Sequence, residues 1–151
     1  MRASVDGDTR RLLARVARRA AHRLGFSANE IAGLGLRIVD DAVITELCGD
    51  HLGDAHVTDV LSFPAIDDLF DASAGDIAID WQQVQRQAFG GPRAWADEAA
   101  QLLVHGLAHL AGHDHDEPVA AQRMLAAERL AARAAGIAPP RRPYGGARWI
   151  R

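Results

Sequence analysis

A stretch of eleven residues with four histidines, HGLAHLAGHDH at positions 105–115, places the strongest constraint on how this chain folds. His105 and His109 are four residues apart, so on an α-helix their side chains share one face, one turn from each other. Gly112 follows where a glycine in the left-handed conformation can end the helix. A chain that turns back there brings His115 towards the two earlier imidazoles. The stretch therefore predicts a long helix with three imidazoles gathered at its end.

Three imidazole nitrogens with an open fourth position are typical of a catalytic rather than a structural zinc site. Cys48 is the only cysteine in the chain, so a thiolate-rich structural site cannot form, and we interpret Cys48 as a small buried apolar residue. Imidazole ligands favour Zn²⁺, although nickel, copper and iron can occupy the same nitrogens in vitro. We predict one Zn²⁺ ion per chain, held by His105, His109 and His115.

His113 has three interpretations. It is the third ligand in a tighter turn in place of His115, a proton shuttle near the metal, or a polar residue at the bend. We prefer His115 as the ligand because of its spacing from the helix end, and we keep His113 as a catalytic candidate. Asp114, Asp116 and Glu117 follow, and any of them could orient a ligand imidazole. Alternatively, Asp116 or Glu117 caps the last helix.

The stretch matches the pattern of metzincin peptidases, H-E-x-x-H-x-x-G-x-x-H, except that Gly106 stands in place of the catalytic Glu. In a peptidase that Glu accepts a proton from water and passes it to the leaving amine, so its loss is costly for amide hydrolysis. A phosphodiester makes different demands, because charge develops on oxygens that a metal and arginines stabilise. Gly106 therefore argues against a peptidase and leaves hydrolysis of a more anionic substrate open.

Length and periodicity predict one α/β domain of the α+β type, with a small mixed sheet packed by helices. The chain has 151 residues, of which 48% are hydrophobic, enough for one core. The predicted strands span residues 35–39, 59–63 and 75–81, with residues 2–5 as a candidate short edge strand. The predicted helices span residues 8–24, 40–51, 94–112 and 118–136. We assign residues 1–138 to the domain and residues 139–151 to a tail rich in Pro, Gly and Arg.

The sequence has no apolar window long enough to span a membrane, and residues 1–11 lack the apolar core of a signal peptide. With one cysteine, these features predict a cytoplasmic protein without a membrane partner.

Charge is distributed unevenly along the chain, although the formal net charge is only −3. Residues 2–23 hold seven arginines and residues 141–151 hold four, whereas residues 38–80 hold eleven acidic residues and no arginine. Guanidinium groups bind phosphate in a bidentate manner, so the two basic ends are candidates for gripping an RNA backbone. A solvated helix face and a loose tail are the alternative, which charge alone favours.

Three stretches together resemble the YbeY family of bacterial rRNA maturation factors. HGLAHLAGHDH resembles its H-G-x-L-H-L-x-G-Y-D-H signature, TDVLSFP at 58–64 resembles its T-[DN]-V-L-S-F-P strand, and AGDIAID at 74–80 resembles its L-G-D-I-x-I strand. Their order and spacing also match, so the resemblance covers most of residues 30–135.

The resemblance implies a zinc-dependent endoribonuclease specific for single strands, which matures the 3′ end of small-subunit rRNA and acts in ribosome quality control. It implies single-stranded rRNA and the ribosome or its proteins as partners, in the cytoplasm. It also implies that His105, His109 and His115 hold the metal, in a cleft between the sheet and the signature helix.

The chain departs from the family pattern at three positions. His113 replaces the Tyr of the signature, Ala108 replaces an interior Leu, and Leu52 stands where the family carries an Arg. Because no arginine lies between Arg37 and Arg86, the positive charge for phosphate must come from elsewhere. The candidates are His51, His56 and the arginines of the tail.

Five further residues complete the candidate site. Thr58, Ser62, Arg141 and Arg142 are candidates for substrate binding, and Asp76 is a second catalytic candidate beside His113. Simpler interpretations are that Thr58 and Ser62 form local hydrogen bonds and that Asp76 belongs to a turn.

Two other functions stay open. The first is a non-catalytic factor for ribosome assembly or binding, in which the metal stabilises the helix bend; the negative net charge and the missing Arg favour it. The second is another metallohydrolase, such as a peptidase with an unusual base, which Gly106 opposes.

Overall fold

The computed structural model describes residues 4–53, 58–65 and 72–141, without the side chains of residues 51 and 52. Within these ranges the chain forms helices and strands in the order α1 (Gly7–Arg23), α2 (Ala28–Ala32), β1 (Gly35–Val39), α3 (Asp41–Leu52), β2 (Val60–Phe63), β3 (Asp76–Asp80), α4 (Trp81–Gln87), α5 (Pro92–Leu110) and α6 (Pro118–Ala135). The elements predicted from residue 8 onward are present, with ends that differ by at most two residues. The candidate edge strand is not confirmed, because Ser4 and Val5 form no strand and residues 2–3 lie outside the described part.

Two helix starts show how capping side chains set the boundaries. The Asp6 carboxylate accepts a hydrogen bond from the Thr9 backbone at 2.7 Å, so α1 begins earlier than the predicted start at residue 8. The short helix α2 was not predicted. Its signal is the S-x-x-E pattern, because Ser27 and Glu30 form a reciprocal capping box.

Glycines end two of the helices as predicted. Asp40 caps the start of α3 by accepting a hydrogen bond from the Val43 backbone, and Gly53 ends it with φ of 73°. Gly136 ends α6 with φ of 77°. Both glycines adopt the left-handed conformation that side chains disfavour.

The three strands form one mixed sheet in the order β1-β3-β2. Strand β3 pairs in parallel with β1, where Gly35 lies opposite Asp76, and antiparallel with β2, where Phe63 lies opposite Asp76. A parallel pair needs a crossover connection, and α3 and β2 lie in the segment between β1 and β3. The predicted fold class, a small mixed sheet packed by helices, is confirmed.

Helix α5 lies at the centre of the molecule, because it contacts β2, β3, α1, α4 and α6. The main core lies between these elements and includes Ile77 and Ile79 of β3. A smaller cluster lies on the other sheet face, where Ala78 meets Ile44 and Cys48 of α3. Cys48 is fully buried, as predicted. No helix in the described part of the chain is long and apolar enough to cross a membrane.

A pair of aspartates links the end of β3 to α3 and α4. Asp80 is fully buried, and its Oδ1 accepts hydrogen bonds from the Gln82 and Gln83 backbone at the start of α4. Its Oδ2 has no hydrogen-bond partner in the described chain. Burial and the neighbouring Asp41 raise the pKa of Asp80 to about 7. The paired Arg86 guanidinium lowers the pKa of Asp41 to about 2. Below neutral pH the Asp80 carboxyl group is therefore protonated, while Asp41 stays ionised beside Arg86.

We expect Asp80→Asn to stabilise the protein at alkaline pH. Because folding raises the pKa of Asp80, its contribution to stability is present below about pH 4 and is lost as the pH rises through about 7. Asn keeps the capping oxygen and cannot ionise. The metal-free variant should exceed the wild type in free energy of unfolding by about 1–3 kcal/mol at high pH, the cost of a buried group without a partner.

Urea unfolding at acidic and alkaline pH measures this difference. Asp97→Asn, at an exposed position of α5, is the control and should change little at either pH. An Asp80→Asn effect that is the same at both pH values would contradict the raised pKa of Asp80.

Candidate metal centre

The end of α5 is closed by a hydrogen-bonded turn that carries the chain back over the helix. The Gly112 backbone donates to the His109 carbonyl at 2.9 Å, and the His113 backbone donates to the Ala108 carbonyl at 3.0 Å. Gly112 has φ of 99°. This pair of bonds is the Schellman arrangement, which needs a left-handed residue and therefore favours glycine. It explains how His115, ten residues after His105, returns to the same site.

The side chains of His105, His109 and His115 come together, as the spacing predicts. Each offers a ring nitrogen, and these atoms all lie within 4.8 Å of one another. The centroid of the His105 ring is 4.6 Å from that of the His109 ring and 5.5 Å from that of the His115 ring. His105 is buried, and the other two are half-buried. The cluster thus has a closed inner side and an accessible outer side.

The three nitrogens fit one metal ion. Tetrahedral coordination at about 2.0–2.1 Å places ligand nitrogens roughly 3.3 Å apart, so the observed limit of 4.8 Å requires only small side-chain rotations. Three nitrogens leave a position for water or substrate, as in catalytic zinc sites. That these residues bind a metal, and that the metal is Zn²⁺, stay predictions.

A fourth residue supports the cluster from behind. Glu128 of α6 places Oε1 2.6 Å from Nδ1 of His105, and both side chains are almost fully buried. A separation this short requires a proton between the two atoms, which leaves Nε2 of His105 as the nitrogen for a metal. A carboxylate behind a ligand histidine is the usual way in which proteins fix the ring of a metal ligand.

Glu128 was missed in the sequence, where we considered only acidic residues next to His115. The available signal is its position on the apolar face of α6. Glu128 is four residues after Met124 and four before Ala132, and both of these residues are buried. A carboxylate at such a position is costly unless it has a partner, so it indicates a buried polar contact.

Burial sets the protonation of the cluster. Burial, followed by repulsion from His105 and His115, lowers the pKa of His109 to about 4, although the His113 backbone and Glu128 act in the opposite direction. His109 is therefore neutral at pH 7, as a metal ligand must be. Burial also raises the pKa of Glu128 to about 7, against the attraction of His109, His115 and His113.

Gly106 marks the closest approach of α5 to the sheet. A Cβ atom at this position would lie 3.0 Å from Ser62 Oγ and 3.2 Å from Ile77 Cδ1. The Ser62 hydroxyl also donates a hydrogen bond to the Gly106 carbonyl at 3.1 Å. The glycine therefore allows the helix to pack on β2 and β3, and the Glu of a peptidase at this position would crowd both strands.

The other candidate residues differ in burial and in their position on the fold. Thr58 is buried at the entry to β2, and the Ser62 hydroxyl is engaged with α5. His113 is half-buried at the bend. Asp76 is exposed at the start of β3, and strand alternation puts its side chain on the sheet face opposite Ile77 and α5. The substrate-binding and catalytic roles of these residues stay predictions.

The beginning of the tail is tied to the helices that carry the cluster. Gln101 of α5, one turn before His105, donates to the Ala138 carbonyl. The Arg129 guanidinium donates to the Pro140 carbonyl at 2.9 Å and to the Arg141 carbonyl at 2.8 Å. Arg141 is exposed. Arg142, His56 and the side chains of His51 and Leu52 lie outside the described residues.

We expect Glu128→Leu to weaken metal binding about 10- to 100-fold, the usual effect of losing a partner behind a ligand histidine. Glu128→Gln should lose less, because its side-chain oxygen can still accept the Nδ1 hydrogen. Competition with a chromophoric chelator measures the affinity, and thermal unfolding of the metal-free proteins reports any general damage. Glu117→Gln, at an exposed position, is the control. Equal affinities for the Leu variant and the wild type would exclude this role.

We expect Gly106→Ala to lower the free energy of unfolding by about 1 kcal/mol. The helix propensity of Ala contributes roughly 1 kcal/mol in its favour, but crowding in a packed core costs about 1–3 kcal/mol. In a Ser62→Ala background the nearest clashing atom is absent, so the same change should be less unfavourable. Urea unfolding of the four proteins measures both effects. Gly106→Ala that stabilises the wild-type background would show that the contact is not restrictive.

Comparison with known proteins agrees with the resemblance in the sequence. The family model described as Endoribonuclease YbeY matches residues 2–136. The Endoribonuclease YbeY of Paracoccus denitrificans is 34% identical over 148 residues, which cover 89% of this chain and 82% of that protein. That of Parvibaculum lavamentivorans is 35% identical over 138 residues, covering 83% and 74%. That of Symbiobacterium thermophilum is 36% identical over 123 residues, covering 76% and 79%. The chain belongs to the YbeY endoribonuclease family.

Proposed function

We propose that this protein is a zinc-dependent endoribonuclease that cleaves single-stranded RNA, and that it acts in the cytoplasm on the 3′ end of small-subunit rRNA and in ribosome quality control. The observation that carries the proposal is the cluster of His105, His109 and His115 with Glu128 behind it. The relatives that share this chain's family bear the name endoribonuclease, and the ribosome or its proteins are the partners that we propose.

The chemistry of the donors supports Zn²⁺. Neutral imidazoles suit this ion, and the low pKa of His109 keeps its ring neutral across the physiological range. A divalent ion held there supplies a Lewis acid that stabilises charge on phosphate oxygens. The carboxylate of Glu128 orients the His105 ring for this purpose and balances part of the positive charge.

Without a carboxylate at position 106, proton transfer must use another group. His113 is the candidate, because it is half-buried at the bend and its backbone is fixed by the bond to Ala108. Imidazole exchanges protons near neutral pH, so His113 can pass a proton between solvent and the leaving oxygen. Asp76, on the other sheet face, is the weaker catalytic candidate.

Phosphate binding is assigned to the tail and to β2. The tether from Arg129 keeps Arg141, and with it the start of the tail, beside the helix that carries Glu128. Arg141 and Arg142 can therefore supply the positive charge that Leu52 does not. Thr58, just before β2, and Ser62 of β2, the strand next to α5, are proposed to contact the substrate.

One observation favours the alternative of a non-catalytic ribosome-binding factor. A metal on the three histidines would join α5 to the bend that follows it, and Glu128 extends this link to α6. The ion would then stabilise the fold as well as, or instead of, serving catalysis. RNA cleavage separates the two functions.

We expect His109→Ala to reduce cleavage of single-stranded rRNA fragments about 100-fold or more, the scale on which electrostatic stabilisation of the transition state contributes. Cleavage of end-labelled RNA is measured on gels, and metal content is measured in the same preparations. Gln122→Ala, at an exposed position of α6, is the control.

A chelator should abolish wild-type cleavage and added Zn²⁺ should restore it. Unchanged cleavage by a clean His109→Ala preparation would contradict the assigned mechanism. If intact protein cleaves no RNA while chelation lowers its melting temperature and its ribosome binding, the binding factor becomes the better assignment.

A further inference from the structure

The exposed side of α1 carries a row of arginines that the metal centre does not use. Arg11, Arg15 and Arg18 recur at helical spacing along one line, and Arg19 and Arg23 lie beside it. All five are exposed, and we call them the arginine face. The opposite side of α1 is buried against α5 and α6. The arginine face therefore points away from the two helices that hold the histidines and Glu128.

Most of these charges lack a counter-charge. Arg11 pairs with Asp8, but Arg15, Arg18, Arg19 and Arg23 form no salt bridge among the residues that the structure describes. Like charges three and four residues apart on a helix repel each other. The helix dipole compensates only for basic residues in the last turn, such as Arg23. Helix stability therefore does not explain the row, whereas a polyanion would relieve the repulsion.

The dimensions of the face suit a nucleic-acid backbone. Arg11 and Arg23 are separated by about 18 Å along the helix axis, at roughly 1.5 Å per residue. If the RNA strand is stacked as in one strand of a duplex, with roughly 3.4 Å per phosphate, this length matches about five phosphates. The five guanidinium groups can each bind a phosphate through two nitrogens.

A cleft beside the arginine face adds to the positive electrostatic potential of that surface. The cleft, of about 360 Å³, lies between α1 and β1 and is lined by Arg10 and Arg18 together with apolar side chains such as Leu13, Leu36 and Ile38. The Arg10 side chain is fixed by donating to the Val5 carbonyl. Charges of one sign above apolar walls focus the electrostatic potential on an approaching ligand. The cleft is thus an extension of the positive surface into the molecule.

We propose that the arginine face of α1 binds the phosphate backbone of the RNA substrate outside the segment that reaches the metal centre. The proposal rests on the proposed function for the nature of the ligand. The face consists of guanidinium groups, which bind phosphate, so we expect it to hold the backbone rather than read the bases. It gives the protein affinity for long RNA despite the net charge of −3.

The test measures binding without cleavage. Arg15→Gln, Arg18→Gln, Arg19→Gln and Arg23→Gln are combined in a His109→Ala chain, and a labelled rRNA fragment is titrated at several salt concentrations. Loss of four phosphate contacts should reduce the slope of log K against log salt by about 3, at roughly 0.7–0.9 per contact. Affinity at low salt should fall at least tenfold.

The matched control removes four exposed arginines elsewhere. Arg37→Gln, Arg93→Gln, Arg123→Gln and Arg133→Gln give the same net charge but spare α1. This control should keep most of the affinity and of the salt slope. If both variants lose them equally, net charge rather than the arginine face governs binding, and the proposal is overturned. Circular dichroism establishes that each variant folds.

Two further measurements keep the outcome decisive. If the fourfold variant does not fold, the pair Arg15→Gln and Arg19→Gln should still reduce the slope by roughly 1.5. Polyglutamate that competes as well as RNA would assign the face to an acidic protein partner and overturn the proposal. Binding is measured in the His109→Ala chain and does not depend on cleavage. If the intact enzyme cleaves no RNA, the proposed function is refuted, but the binding measurement can still be interpreted.

Discussion

The contact between Gly106 and the sheet is the constraint on which the site depends. A missing Cβ lets α5 lie against Ser62 and Ile77, and the hydrogen bond from Ser62 holds the helix there. His105 immediately precedes this contact, so it is buried between α5 and α6, where Glu128 meets it. The sheet therefore fixes the rotation of α5, and that rotation decides which residues face the metal site.

The contact between Gly106 and the sheet also distinguishes this histidine site from that of a peptidase. A glutamate at position 106 would crowd Ser62 and Ile77 of the sheet, so packing disfavours a general base at this position. The remaining machinery consists of neutral imidazoles, a buried carboxylate and arginines at a distance. A divalent ion held by these imidazoles would stabilise negative charge on the oxygens of a substrate. An anionic substrate with a good leaving oxygen suits it better than an amide.

Local sequence was sufficient to predict the histidine cluster and the strands, because helical spacing, the left-handed glycine and β-branched runs act over a few residues. Gly112 ends α5 as its position predicted, and Cys48 is buried. The partner of His105 could not be predicted in this way. Glu128 lies 23 residues away, and only the packing of α6 on α5 brings it near. The predicted start of α1 was wrong because Asp6 and Asp8 are both good helix caps, and the local sequence does not distinguish between them.

The pairing of charges is the other feature that could not be predicted from the sequence alone. Counting arginines in residues 2–23 left a solvated face as the favoured explanation, since composition does not reveal which charges have partners. The fold adds that information: among the described residues, Arg15, Arg18, Arg19 and Arg23 on the exposed side of α1 form no salt bridge. The acidic residues Asp41 and Asp80 of the 38–80 segment are instead used within the fold. A protein with a negative net charge can therefore present a positive helix to a polyanion. Because the side of α1 opposite the arginine face is buried against α5 and α6, an RNA bound by both the arginine face and the histidines must pass around the molecule.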